Sequence, residues 1–467
     1  MNSLATYHDL IASKRVRFDV TGIANPPALN PAMFPHQRHA TEFALRNGRA
    51  ALFLDTGLGK SLCALDWGRI IVEHTNRPVL MLAPLAVAAQ HEREAVKFGI
   101  DAKAIRDPSE ISGARVYITN YDRLDKFDAS IFGGVILDES SILKSFTGAT
   151  TKKLISTFRH TPFRLACTAT PAPNDHAELG THSEFLGALD QSQMLVRWFL
   201  HDSADTGTWR MKGHAVEDFW SWVASWARCV SKPSDLGFSD EGFTLPALDV
   251  IRHVVAADRG IDAGEEKDGQ AKLFRIPETS ATSIHREKRL TVEARADRLA
   301  EIVAAESAEP WVIWCDTDYE ADALTDRIPH AVEVRGSMRA DVKEERITAF
   351  STGQAQIIIT KPSVAGFGLN WQHCARMGFV GLSFSYESFY QAVRRCWRFG
   401  QKRPVQAHIA MADTEAAIWD VVSRKAGDHD AMKAQMVAAM ARASHSVDQM
   451  EDYTPAKKAK LPAWIAA

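Results

Sequence analysis

A chain of 467 residues with a formal net charge of −3, 46% hydrophobic and 24% charged residues has the make-up of ordinary globular domains, which excludes disordered and fibrous classes. At roughly 100–200 residues per domain it should fold as two or three domains, and any nucleic acid it holds must be gripped by local basic patches, not by a global positive field. Six cysteines, none at C-x-x-C spacing, argue against a zinc site or a disulfide framework and for reduced, buried thiols. The stretch from Met1 to Ile11 lacks the basic start and apolar run of a signal peptide, and no apolar run is long enough to span a bilayer, so a cytoplasmic protein with no membrane partner is expected.

Taken in chain order, an N-terminal extension (1–33) precedes a first α/β segment, 34–189. Its strand candidates are Ala50–Leu54, Pro78–Ala83, Arg115–Thr119, Gly134–Leu137 and Phe163–Cys167, apolar runs too short for helices. Helical patterns such as Ser61–His74 and Ala86–Phe98 separate them. The segment 190–290 differs: it holds Trp198, Trp209, Trp220, Trp222 and Trp226, with Phe219, Trp222, Val223, Trp226 and Val230 at helical spacing. It reads as a helical insertion and linker, its tryptophans as core, its Arg286–Arg289 run as exposed and of mixed charge. A second α/β segment, 291–422, follows. Its strand candidates are Trp311–Cys315, Ala331–Val334, Gln356–Ile359, Arg376–Val380 and Val405–Met411, separated by helical patterns at Tyr319–Arg327, Ala340–Phe350 and Ser388–Phe399. The tail, 423–467, begins helical. Strands alternating with helices in two blocks predict two parallel sheets in tandem.

Three motifs carry chemistry. Asp55-Thr56-Gly57-Leu58-Gly59-Lys60-Ser61 follows a strand and opens a helix, the context in which backbone amides and a helix N-terminus bind phosphate. Lys60 would reach the β- and γ-phosphates of ATP and Ser61 would bind Mg²⁺; Leu54 stands where the full motif has its first glycine, and a glycine turn that binds nothing is the plain alternative. Gly133 to Glu139 is an apolar strand ending in paired carboxylates at the ligand-binding edge of a parallel sheet. Asp138 would hold Mg²⁺ and Glu139 would orient and deprotonate the attacking water. In Gln391–Gln401, Arg395 and Arg398 are three apart and so should share a helical face, where two guanidinium groups can clamp a phosphate from a second lobe. Arg394, Lys402 and Arg403 read equally well as a solvated or nucleic-acid-facing patch. None of the 17 histidines shows HExxH-type spacing, so none is assigned to a metal.

With these motifs in order from Phe34 to Met411, the chain resembles the superfamily-two helicases, and within them the SWI/SNF-type double-stranded DNA translocases. The resemblance implies two tandem RecA-like domains with a helical insertion between them and a helical C-terminal tail. It implies an adenine contact for Gln37, a phosphate loop from Thr56 to Ser61, and contact with both DNA and ATP in Gly366-Phe367-Gly368-Leu369-Asn370, where Gly368 would meet the nucleotide. Thr168 and Thr170 of Thr168-Ala169-Thr170-Pro171 would couple hydrolysis to motion. Pro84, Asn120, Tyr121, Thr360 and Lys361 would contact nucleic acid. The Gly400-Gln401 ending is typical of the SWI/SNF branch, and the compactness resembles bacterial and bacteriophage members. Ser141, Ala169 and Arg394 depart from residues frequent in the family.

The expected activity is thus a nucleic-acid-stimulated ATPase that uses ATP and Mg²⁺ to translocate on double-stranded DNA. A strand-separating helicase on DNA or RNA and an ATP-gated clamp that recruits partners are the competing readings. The Gly400-Gln401 ending and the insertion weigh against the former, the full set Lys60, Glu139, Arg395 and Arg398 against the latter.

Overall fold

The structure is a computed structural model that describes residues 18–84, 87–145, 147–201, 209–257, 281–365 and 369–448. Two parallel sheets dominate it, as the strand–helix alternation predicts. The first has seven strands in the spatial order Ala102–Ala104, Val116–Asn120, Val79–Ala83, Gly134–Asp138, Phe163–Cys167, Arg49–Leu54, Ala227–Val230. The second has six: Leu248–Val255, Val405–Ala412, Arg376–Val380, Trp311–Trp314, Ile357–Thr360, Val332–Val334. Their central strands are buried, the partly exposed first residue Arg49 apart, as strands covered by helices on both faces must be. Because every pairing is parallel, all strands of a sheet end on one edge, and loops from distant parts of the chain meet there.

The segment 190–290 does more than expected of a helical insertion. Ala227–Val230 pairs with Arg49–Leu54 as an edge strand of the first sheet, and Leu248–Val255 pairs with Val405–Ala412 as an edge strand of the second. Neither is an apolar run in sequence. The first follows directly on the Val216–Trp226 helix, whose period masks it. The second is half-exposed, with Asp249 and Arg252 interrupting its apolar residues. The tryptophans do form core: Trp198, Trp220, Trp222 and Trp226 are buried, and Trp198 stacks on Trp222 with ring centroids 4.6 Å apart.

The described part of the tail lies on one helix, Ala416–Asp448. It leaves the second lobe and returns to the first, where Met432, Met436 and Met440 join the cluster built by Trp222, Trp226 and Cys229. The Arg286–Arg289 run lies on the helix Ala281–Leu290 rather than in a linker; Arg286 and Arg289 are exposed as expected, but Lys288, 3% exposed, pairs with Asp316 at 2.9 Å and Glu320 at 3.4 Å. Two carboxylates facing it from the next elements make burial of that ammonium tolerable. All six cysteines are buried and free.

Met436→Ala removes a buried side chain between tail and first lobe. It should lower unfolding free energy by about 2–5 kcal/mol, read as an earlier urea midpoint of tryptophan fluorescence.

Candidate active site

The loop after Leu54 turns into the Lys60–Thr75 helix through two left-handed glycines, Gly57 at φ +94° and Gly59 at φ +81°. A Cβ on Gly59 would stand 2.2 Å from the Gln37 side-chain nitrogen, so only glycine lets the loop pack this closely. Gln37 itself knits the loop: its Oε1 accepts from the Phe34 amide at 2.9 Å, and its Nε2 donates to the Leu58 carbonyl at 2.9 Å. Leu58 is buried and serves packing. No side chain caps the helix that follows, so its first amides face the loop, the arrangement that binds phosphate. The Lys60 ammonium donates to the Leu54 carbonyl at 3.0 Å, poised over the loop, and Ser61 lines the same cavity.

Asp138 and Glu139 end the Gly134–Asp138 strand. Glu139 holds a left-handed backbone, φ 53° and ψ 55°, a strained conformation for a non-glycine residue and one that clusters at working sites. Asp138 is held twice. Its backbone carbonyl accepts from the Tyr121 hydroxyl at 2.7 Å, and its Oδ2 lies 2.8 Å from His91 Nε2. Burial would raise the Asp138 carboxyl, but His91 and Lys60 outweigh it and hold it below the usual carboxylate range. Burial pushes the Glu139 carboxyl up, and the Asp138 charge adds to this against the pull of Lys60 and Arg395. Neighbouring carboxyls pushed apart in this way can take different roles, one as a fixed anion and one in proton transfer. The Thr168 hydroxyl makes a long 3.4 Å contact with Glu139 Oε2, and the Thr170 amide donates to Thr168 Oγ1 at 3.1 Å. Ser141 is buried, and beside it Ser140 Oγ meets His182 Nε2 at 3.1 Å.

Arg395 and Arg398 come from the second lobe. The shared helix face expected for them is not formed. The helix Tyr386–Val393 stops before them: the Arg395 amide bonds to the Ala392 carbonyl at 3.2 Å, while the Gln391 carbonyl accepts from Arg395 Nε at 3.0 Å. Both guanidinium groups nonetheless converge, each donating to the Leu369 carbonyl at 3.2 Å. With Gln37, Thr56, Gly57, Gly59, Lys60, Ser61, Asp138 and Glu139 they line one cavity of about 430 Å³ between the lobes. Burial pushes both guanidinium groups down to about 10.

A second contact draws the lobes together behind the phosphate loop. Asp55 Oδ1 pairs with Arg394 at 2.9 Å and its Oδ2 with Lys433 of the tail helix at 3.2 Å. The Tyr390 hydroxyl donates to the same carboxylate. Arg394 also donates to the Thr56 carbonyl at 2.7 Å, so it is neither solvated nor turned outward. Burial would raise Asp55, but Arg394, Lys433 and Tyr390 together hold it far below the usual carboxylate range. Spacing in sequence gave no hint of Asp55, Lys433 or His91 as partners across such distances. Phe243 and Phe399, stacked with centroids 4.6 Å apart, also border the cavity.

The residues expected to touch nucleic acid are not brought together as a surface. Pro84, Asn120 and Tyr121 do end neighbouring strands, with Ala83 opposite Asn120. Asn120 is buried, however, and the Tyr121 hydroxyl is turned onto Asp138. Thr360 is 1% exposed and its hydroxyl donates to the Val334 carbonyl at 3.0 Å. Lys361 pairs with Asp318 at 2.8 Å. Gly368, with Gly366 and Phe367, lies outside the described residues, as does Leu85. Among the described residues no helix is long and apolar enough to cross a membrane.

Residues 294–400 match the family described as the helicase conserved C-terminal domain. The match spans four of the six strands of the second sheet, leaving out Leu248–Val255 and Val405–Ala412. No curated protein matches the chain by sequence. Among solved structures, the SWI2/SNF2 ATPase core of Sulfolobus solfataricus in complex with dsDNA is similar at 15% identity and a TM-score of 0.42, covering 92% of this chain and 99% of that one.

Asp55→Asn would leave two buried cations short of their counter-charge, which should lower unfolding free energy by about 3–5 kcal/mol at neutral pH. The folded pKa of Asp55 lies below its unfolded value, so its contribution is full above the carboxylate range and fades as pH falls through and below it. The gap between wild type and Asp55→Asn in denaturant titrations should therefore narrow below about pH 4.

Proposed function

We propose that the chain is a nucleic-acid-stimulated ATPase motor that translocates on double-stranded DNA. The observation that carries this reading is the shared cavity: Lys60, Asp138 and Glu139 of one lobe face Arg395 and Arg398 of the other across about 430 Å³. A site split between two lobes is complete only when they are closed, and this ties hydrolysis to relative motion.

The residues suit ATP with Mg²⁺. Magnesium is commonly held by one carboxylate, a hydroxyl and substrate phosphates rather than by an all-protein cage. Asp138 and the Ser61 hydroxyl line one cavity beside a lysine and an uncapped helix start, and no cluster of three or more His, Cys, Asp or Glu is placed to hold a metal among the described residues. When bound, Mg²⁺ would neutralise charge on the β- and γ-phosphates. Lys60 and the amides of the loop would hold those phosphates. Glu139, its carboxyl raised by burial, would accept the proton of the attacking water. Arg395 and Arg398 would stabilise charge on the transferred phosphoryl group. Thr168, touching Glu139, would carry the change of state toward the Thr170 segment. Once the phosphate has gone, the guanidinium groups lose their anion and the lobes are free to part. Grip through DNA phosphates would be indifferent to sequence and weakened by salt.

Glu139→Gln should lower kcat about 10²–10⁴-fold and Arg395→Ala about 10³-fold or more, with ATP binding retained. Duplex DNA should stimulate the wild type more than single strands or RNA, and a triplex-forming strand should be displaced without separation of the duplex. No stimulation by any nucleic acid would sink the motor reading, and stimulation by RNA alone would sink its DNA form.

A further inference from the structure

We propose that His91 is a positioning residue for the divalent cation, fixing the carboxylate of Asp138 in the orientation that receives it. This rests on the ATPase reading above and adds a residue to it.

His91 lies on the helix Ala88–Lys97, which follows the Val79–Ala83 strand. That strand pairs with Gly134–Asp138, Leu82 opposite Leu137. The two strand ends are therefore adjacent, and the helix brings an imidazole to the carboxylate from the side. His91 is 2% exposed. Its Nε2 is 2.8 Å from Asp138 Oδ2, and its Nδ1 has no hydrogen-bond partner among the described residues. With Asp138 ionised, Nε2 must carry the proton, because a carboxylate can only accept. A histidine buried for packing alone would be expected to satisfy its polar atoms with whatever backbone is near. This one directs its single polar contact to the carboxylate at the mouth of the phosphate loop.

The physical need is clear from the rest of Asp138. Its strand fixes the Cα, and the Tyr121 hydroxyl fixes its carbonyl. Neither restrains rotation of the carboxyl group, which decides where its oxygens point. His91 supplies that restraint through Oδ2. Outer partners of this kind orient metal ligands, and their loss typically weakens metal affinity about 10–100-fold.

The test uses the full chain with His91→Phe and His91→Gln. Mn²⁺ affinity in the presence of saturating ADP is read from the electron paramagnetic resonance signal of free Mn²⁺, and ADP affinity in EDTA from a fluorescent ADP. His91→Phe should bind Mn²⁺ about 10-fold or more weakly while its metal-free ADP affinity stays as in the wild type. His91→Gln, which can still present an N–H to the carboxylate, should recover most of the loss. Wild-type Mn²⁺ affinity in His91→Phe would overturn the proposal, as would a His91→Gln protein as weak as His91→Phe. Should the Phe variant fail to fold, His91→Asn, polar but too short to reach, takes its place with the same expected outcome. A wild type that binds neither ADP nor Mn²⁺ would instead overturn the ATPase reading itself.

Discussion

The carboxylate of Asp55 is the point on which the two lobes and the tail depend. It sits at the end of the strand that opens the phosphate loop, and a cation from each of two other elements reaches it: Arg394 from the turn after Tyr386–Val393 and Lys433 from the tail helix. A buried carboxylate alone would be strongly unfavourable, and so would either cation. Together, with the Tyr390 hydroxyl, they compensate one another, and the geometry that achieves this also fixes where the second lobe stands. Arg394 adds a bond to the Thr56 carbonyl, so the anchor grips the loop backbone as well as its first side chain. Arg395 follows Arg394 directly in sequence. The same turn that anchors the lobe therefore delivers the first guanidinium to the cavity.

The tail and the segment 190–290 stiffen this arrangement from behind. One strand of that segment extends the first sheet and another extends the second, so the connection between lobes is built into both sheets at their edges. The tail helix leaves the second lobe and lays its methionines on the tryptophan cluster of the first. The Trp397 indole donates to the Pro246 carbonyl at 2.7 Å, tying the turn of the arginines to the connection itself. Any opening of the cleft must bend or slide these elements, since burial of apolar surface resists their separation.

What the sequence disclosed follows from the range of each interaction. The placement of the glycine turn 55–61 beside Asp138 and Glu139 is legible because strand, turn and helix are local, and the edge of a parallel sheet brings their ends together by topology. The two edge strands from 190–290 are hidden for different reasons: Ala227–Val230 runs straight on from a helical period, and Leu248–Val255 is half-exposed with no continuous apolar run. Arg395 and Arg398 were legible as residues but not in conformation. The helix they should share ends at Val393, where Arg395 turns its own side chain onto the Gln391 carbonyl, which no spacing encodes. His91 and Lys433 were not legible at all. Their partners are 47 and 378 residues away, and nothing in a lone histidine or lysine on a helix announces a carboxylate across a fold. The inward turn of Asn120, Tyr121 and Thr360 was hidden for the same reason: strand ends are visible in sequence, rotamers are not.

The arginine pair shows how this closed arrangement would respond to a nucleotide. Arg395 and Arg398 share one carbonyl oxygen, that of Leu369. Burial and mutual repulsion push the Arg398 guanidinium down to about 10, and burial does the same to Arg395 despite the pull of Glu139. Two like charges that share one neutral acceptor, with the Gln391 carbonyl taking only the Arg395 Nε besides, are held there by the rest of the fold rather than by each other. A phosphate group between the lobes would supply the counter-charge that the carbonyl cannot. Closure would then be favoured most strongly with the anion in place, and loss of that anion would remove this attraction between the lobes. On the reading proposed above, hydrolysis thus weakens closure by taking away the charge that both guanidinium groups of the second lobe share with the first, and leaves the Asp55 anchor to hold the lobes near one another.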